Sequence, residues 1–171
     1  NEENEAIVYD IIAQVQYIIR KYIVGLLLEM GIVAVVLCIV FWLLGIKYAM
    51  LLGIITGLFN IIPYIGIFTA LLISVLVTFA TGAVATKILL VVAAVVIMHL
   101  IDSNILLPTI VASKVKINGL ITLLGVIIGE RIWGIPGMFL SIPFVAVLKI
   151  IFDRVDGLKP WGKLLGDVVP V

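Results

Sequence analysis

Residues 99–119 read HLIDSNILLPTIVASKVKING, and this stretch decides the fold. It holds the only histidine of the chain, His99, together with Asp102, Asn104, Pro108, Lys114, Lys116 and Asn118. On both sides the sequence is apolar. Residues 46–80 and 120–152 form two long apolar segments, each interrupted near its middle by proline and glycine. A polar stretch between two broken apolar hairpins predicts a membrane protein with a polar path beside that stretch.

Composition sets the class. The 171 residues are 64% hydrophobic and 12% charged. A soluble domain is about half apolar and about a quarter charged. One small core cannot hide so much apolar surface, so the chain reads as an all-α integral membrane protein with the lipid bilayer as its first partner. The apolar runs are continuous rather than alternating, which argues against a membrane β-barrel. No basic patch is interleaved with aromatics, which argues against nucleic acid. The single cysteine, Cys38, cannot form an internal disulfide and reads as a small core or lipid-facing residue. One His and one Cys far apart make no metal site, and no Walker-type loop or nucleophile–base set is visible. The expectation is therefore no metal, no cofactor and no enzyme. The chain starts at Asn1 without an initiator Met and reads as a fragment or split half of a larger protein.

Working outward, residues 1–22 read as a juxtamembrane or interfacial helix closed by Arg20 and Lys21, or as the end of a longer helix whose start is missing. Residues 23–44 are long enough to span, about 33 Å as a helix. Residues 46–80 form the first hairpin, with arms 48–62 and 67–80 around a break at Asn60, Pro63 and Gly66. Proline lacks an N–H and disfavours helix at the residue before it, and glycine permits the turn. The first arm is about 22 Å long, short for a hydrocarbon core of about 30 Å, so the hairpin reads as re-entrant or strongly tilted. Residues 88–107 form one polar transmembrane helix, ended or kinked by Pro108. Residues 120–152 form the second hairpin, broken at Gly134, Pro136 and Gly137 and interrupted again at Pro143. Residues 153–171 read as a short tail, with Trp161 as an interfacial anchor.

The hairpins echo each other. Residues 51–57 (LLGIITG) align with residues 123–129 (LLGVIIG) at five of seven positions, and Pro63 or Pro136 follows six or seven residues later. One crossing separates them, so they should open on opposite sides, the inverted arrangement of secondary transporters. Gly53/Gly57 and Gly125/Gly129 are also small-xxx-small pairs, which explains them by helix packing alone. Placing Arg20 and Lys21 in the cytoplasm puts Lys114, Lys116, Lys149, Arg154, Lys159 and Lys163 there too. That is eight basic residues inside against Lys47 and Lys87 outside, with Arg131 near a hairpin tip. This asymmetry predicts a cytoplasmic C-terminus.

Six residues are candidates for a solute site or an ion path. Glu29 is the only charge in the first span; it reads either as a proton or cation carrier or as a hydrated or oligomer-facing residue near the interface. His99 and Asp102 share a helix face with Ser103, by i, i+3 and i, i+4 spacing. They could carry protons or bind a polar solute, or mark a helix end entering the headgroups. Asn104 lies in the same stretch. Asn60 could contact a solute or satisfy carbonyls freed by Pro63. Glu130, next to Arg131, could gate, pair with a neighbouring element or reach solvent.

Several of these pieces carry a resemblance. Residues 22–27 (YIVGLL), 60–66 (NIIPYIG), 101–108 (IDSNILLP), 113–117 (SKVKI), 134–137 (GIPG) and 141–143 (SIP) occur in this order over nearly the whole chain. Together they resemble the C-terminal half of the autoinducer-2 exporter (AI-2E) family of transporters. Family members are longer, with further membrane helices before the equivalent of Asn1. The resemblance implies export of the quorum-sensing molecule autoinducer-2 or, for some members, sodium/proton antiport. It also implies a homo-oligomer in the bacterial inner membrane. From the residues alone, the reading is a secondary-type transporter of a small polar solute, with cation/proton antiport second and a non-transporting membrane scaffold as the rival class.

Overall fold

The computed structural model describes residues 2–62, 65–111 and 117–166. Among them the chain is helical, apart from turns and one isolated antiparallel bridge between Ile117 and Gly166. The helices are α1 (Glu2–Leu43), α2 (Ala49–Phe59), α3 (Ile65–Ala80), α4 (Ala85–Ile101), α5 (Gly119–Trp133), α6 (Ile135–Arg154) and α7 (Lys159–Leu165). A π-helical segment, Asp102–Val111, continues α4, and a short 3-10 turn, Asp156–Leu158, precedes α7. Among the described residues three stretches are long and apolar enough to cross a membrane: Ile11–Leu43, Ala85–Ile110 and Ile135–Arg154. Large apolar side chains face outward along them, such as Leu43, Leu89 and Phe144. Lipid makes such surface costless, and this is a multi-pass helical membrane protein. The expected break between an interfacial helix and the first span does not occur. Helix α1 runs through it without interruption.

The chain forms two compact units, residues 25–111 and residues 1–24 with 112–171. The first contains the rest of α1, α2, α3, α4 and the π segment. Its core is a seam of Val33, Leu37 and Phe41 from α1 against Leu52 of α2 and Val91, Val95 and Met98 of α4. Helix α3 buries Gly66, Ala70, Ser74 and Thr78, one small residue per turn, which lets it lie close to its neighbours. The first hairpin is therefore α2 and α3, joined by a turn in which Ile61 N–H donates to Leu58 O and Ile62 N–H to Phe59 O. Gly66 sits directly on the Phe59 carbonyl, where a side chain would collide. Pro63, the predicted break residue, lies outside the described residues, as do Lys114 and Lys116.

Pro108 does not end the crossing helix. The helix changes pitch six residues earlier, at Asp102, and Pro108 lies inside the π segment. Wider π turns free carbonyls of the preceding α turn. Polar side chains take them up: Ser103 Oγ donates to His99 O (2.7 Å) and Asn104 Nδ2 to Leu100 O (2.7 Å).

The second unit holds the other hairpin. Its break is a single residue, Gly134, at φ +65, which ends α5 and begins α6. That backbone conformation favours glycine. Pro136 falls in the first turn of α6, where no N–H is needed. The expected interruption at Pro143 is absent, because α6 continues through it. Proline at 143 cannot donate to the carbonyl four residues earlier. That carbonyl, Phe139 O, instead accepts the Tyr22 hydroxyl of α1 at 3.3 Å. Within the stretch read as a short tail, α7 is folded against the unit: Asn118 N–H donates to Leu165 O (2.9 Å), tying the end of α7 to the start of α5.

Candidate functional site

Within the unit of residues 25–111, one amide joins two carboxylates. Asn60 Nδ2 donates to Asp102 Oδ2 at 3.1 Å and to Glu29 Oε1 at 3.3 Å. Glu29 and Asp102 are 2% and 6% exposed. Among the described residues no hydrogen-bond donor reaches their other oxygens, Glu29 Oε2 and Asp102 Oδ1, which are buried, and His99 Nδ1 is likewise buried without a partner.

Each member is placed by local structure. Glu29 occupies the buried stripe of α1, between Leu26 and Val33. A helix face repeats every three to four residues, so this position points at the core. Asn60 caps α2 in right-handed helical geometry. It reaches Glu29 because Gly57, one turn earlier, has no side chain. A Cβ there would press on the Ala34 side chain and Met30 O of α1. The bare glycine surface therefore lets α2 lie against α1 one turn beyond Glu29. Asp102 sits where the α-helix gives way to the π segment. π turns inside helices frequently coincide with functional positions.

Energetics make the site demanding. A carboxylate within a membrane costs about 3 kcal/mol unless it is paired or hydrated. The Asn60 amide supplies one charge-assisted hydrogen bond to each, worth about 1.5–3 kcal/mol apiece. Two further oxygens stay bare, and two negative charges in a poorly polarisable medium repel. The arrangement calls for a positive partner, either a proton or a small cation. Beside it lies a narrow crevice of about 10 Å³, lined by Thr56, Asn60, His99 and Asp102 with Val95 and Leu37. That is room for about one water.

The other predicted residues lie elsewhere. His99 lines the crevice, but Ser103 is exposed and bonded to the backbone. Asn104 is exposed and serves the Leu100 carbonyl and Ser103 Oγ rather than the carboxylates. Glu130 lies in the other unit, exposed and paired with Arg131 (3.5 Å). The reading of Glu29 as a hydrated residue near the interface gives way to a buried, hydrogen-bonded one. Sequence reasoning missed the link between Glu29 and Asn60, which are 31 residues apart, because only helix packing makes it. It also missed Lys149. That side chain is 1% exposed and donates from Nζ to Asp153 Oδ2 (2.9 Å) and Gly162 O (3.3 Å). This clamps α7 onto α6, and the Lys149–Asp153 i, i+4 spacing was the available signal.

Fold and site together define a multi-pass helical membrane protein with an ionisable centre among its apolar helices. The profile of the AI-2E family transporter matches residues 1–157, and the chain belongs to that family. It is 37% identical over 129 residues to "Putative transport protein YrrI" of Bacillus subtilis, covering 75% of this chain and 36% of that protein. A "Putative transport protein" of Methanothermobacter thermautotrophicus is 38% identical over 100 residues, covering 57% of this chain and 28% of that one. "Putative permease PerM" of Escherichia coli is 29% identical over 133 residues, covering 78% and 38%. The chain spans about a third of the length of the curated relatives it matches.

Proposed function

We propose that this chain is the ion-handling part of a secondary transporter, in which Glu29 and Asp102 bind a proton or a small monovalent cation between them. The observation that carries this reading is the single Asn60 amide shared by two buried carboxylates whose remaining oxygens are bare. Oxygen donors suit hard cations and protons. The size of the crevice favours an ion over an organic solute, so cation/proton exchange moves ahead of autoinducer-2 export. A scaffold that moves nothing has no use for carboxylates buried among apolar helices.

The wider picture is proposed with it. The two hairpins, paired by their sequence pattern, open alternately to the two sides of the membrane. The protein lies in the bacterial inner membrane as a homo-oligomer with its C-terminus in the cytoplasm. The outward-facing apolar helices support membrane residence, and the lysine and arginine distribution supports the orientation.

The test is ion-driven proton movement. The native protein is reconstituted in vesicles loaded with a pH-sensitive dye, and sodium, lithium or potassium is added outside. The expected result is a pH change with at least one cation, abolished in Glu29→Gln and in Asp102→Asn but kept in Glu130→Gln. A wild-type protein that moves no protons under any of the three gradients, or full activity in both carboxylate variants, would sink the reading.

A further inference from the structure

At one end of the unit of residues 25–111 lies a second, larger cleft of about 320 Å³. It is formed by the turn between α1 and α2 and the turn between α3 and α4. Its lining includes Gly45, Lys47, Thr78, Thr81, Gly82 and Lys87, and among the described residues no acidic one. Both turns are built on glycines at positive φ, Gly45 at 65 and Gly82 at 71. Lys87 Nζ donates to Gly45 O at 2.7 Å and so bridges the two turns.

Four features of this cleft point to an anion. Among the described residues, neither Lys47 nor Lys87 has a carboxylate within ion-pair distance. Lys87 spends one of its three ammonium donors on a neutral carbonyl and keeps its charge uncompensated. Helix α4 begins here, 17 residues long, with Val84 as an extended N-cap that offers no side-chain acceptor. Its first N–H groups and its dipole thus favour negative charge. Thr78, 1% exposed, lines the cleft, and its Oγ1 has no hydrogen-bond partner. Nearby, Thr81 Oγ donates to Thr78 O at 2.7 Å and fixes the turn. The volume suits a small headgroup-sized ligand.

Depth favours one source. The cleft lies where two stretches of membrane-crossing length meet their ends, Ile11–Leu43 at its finish and Ala85–Ile110 at its start. Trp42, Tyr48 and Phe79, close in sequence to the lining residues, are 68%, 47% and 68% exposed. Aromatic residues of this kind gather at headgroup level.

We propose that this cleft is a phosphate-binding site, occupied by the headgroup phosphate of an anionic phospholipid. Lys47 and Lys87 supply the charge, the N-terminus of α4 supplies backbone donors, and Thr78 supplies a hydroxyl. The site is separate from the carboxylates and does not depend on the ion reading.

The full chain, purified in a non-ionic detergent, is titrated with phosphatidylglycerol, phosphatidylcholine and inorganic phosphate, and bound species are counted by native mass spectrometry. Phosphatidylglycerol should bind in preference to phosphatidylcholine. A juxtamembrane lysine contributes about fivefold to anionic-lipid affinity, so Lys47→Gln should weaken binding by about that factor and the double variant with Lys87→Gln by about twenty-five-fold. Among the described residues Lys47 makes no side-chain hydrogen bond or ion pair, so a loss of binding in Lys47→Gln reads the site rather than the fold. Saturable binding of inorganic phosphate that is weakened by the same substitutions, without a preference for phosphatidylglycerol, would keep the anion site and make free phosphate its ligand. Equal binding of phosphatidylglycerol and phosphatidylcholine by wild type and double variant, with no saturable binding of inorganic phosphate, would overturn the proposal. So would an equal loss in Lys163→Gln, which would mean diffuse attraction to basic surface.

Discussion

The hairpin α2–α3 and the hairpin α5–α6 share a seven-residue pattern but use its glycines against different partners. In the first, Gly53 lies on the backbone of Cys38 and Gly57 on Met30 and Ala34, all in α1. In the second, Gly125 lies on Val145 and Ser141, and Gly129 meets Gly137 backbone to backbone, all in α6. One glycine pair therefore docks its hairpin arm on another helix, while the other closes its hairpin on itself. The breaks differ accordingly. Asn60 is turned to two buried carboxylates, whereas Glu130 and Arg131 are exposed and, among the described residues, pair only with each other. A repeated pattern of small residues specifies a smooth helix surface. Which helix comes to rest on it decides whether polar chemistry follows.

The contrast can be broken most forcefully at Asn60. Asn60→Leu removes two charge-assisted bonds of about 1.5–3 kcal/mol each, so ion flux in the native protein should fall about a hundredfold or more with assembly intact. Arg131→Gln at the other break should leave flux within about twofold, since the exposed pair contributes little. If the two variants lose flux equally, the hairpins are functionally alike. Next, Gly57→Val should push α2 from α1 and lower flux about tenfold by separating Asn60 from Glu29. Gly129→Val should leave flux per folded molecule unchanged while destabilising α5–α6 by about 1–3 kcal/mol, measured by unfolding in graded denaturing detergent.

The clamp on α7 sharpens the comparison, because only the second hairpin carries one. Lys149→Met removes the donor to Asp153 and Gly162 and should release α7 to limited proteolysis, at a cost of about 1–3 kcal/mol. Cleavage unchanged from wild type would mean that α7 is held by its backbone bond to Asn118 instead. The smallest effect is expected at Glu130→Gln, within about 0.5 kcal/mol by the same unfolding assay.

Much of this is legible in the sequence where the physics is local. The hairpins, their breaks after Asn60 and at Gly134, and the membrane class follow from proline, glycine and unbroken apolar runs, although the second break is one residue rather than the stretch to Gly137. Asp102, His99 and Asn60 stand out as polar residues in apolar surroundings. What does not show is anything that depends on packing. Pro143 looks like a break, yet the hydroxyl of Tyr22, far away in sequence, satisfies the carbonyl it strands. Nothing in composition marks the change of pitch at Asp102, because the residues that satisfy it, Ser103 and Asn104, look like ligands. Lys149 looks like one more cytoplasmic positive charge, yet it is buried. Without it the basic residues counted on the cytoplasmic side fall from eight to seven.

The length of α1 has a mechanical consequence. Its 42 residues make a rod of about 63 Å, against a hydrocarbon core of about 30 Å. Even tilted by about 40°, such a rod needs only about 39 Å of its length to cross, so about 24 Å stands clear of the hydrocarbon. A spectroscopic label near its first turn would ride well away from the acyl chains, and its distance to a lipid-borne quencher would report any change in tilt directly.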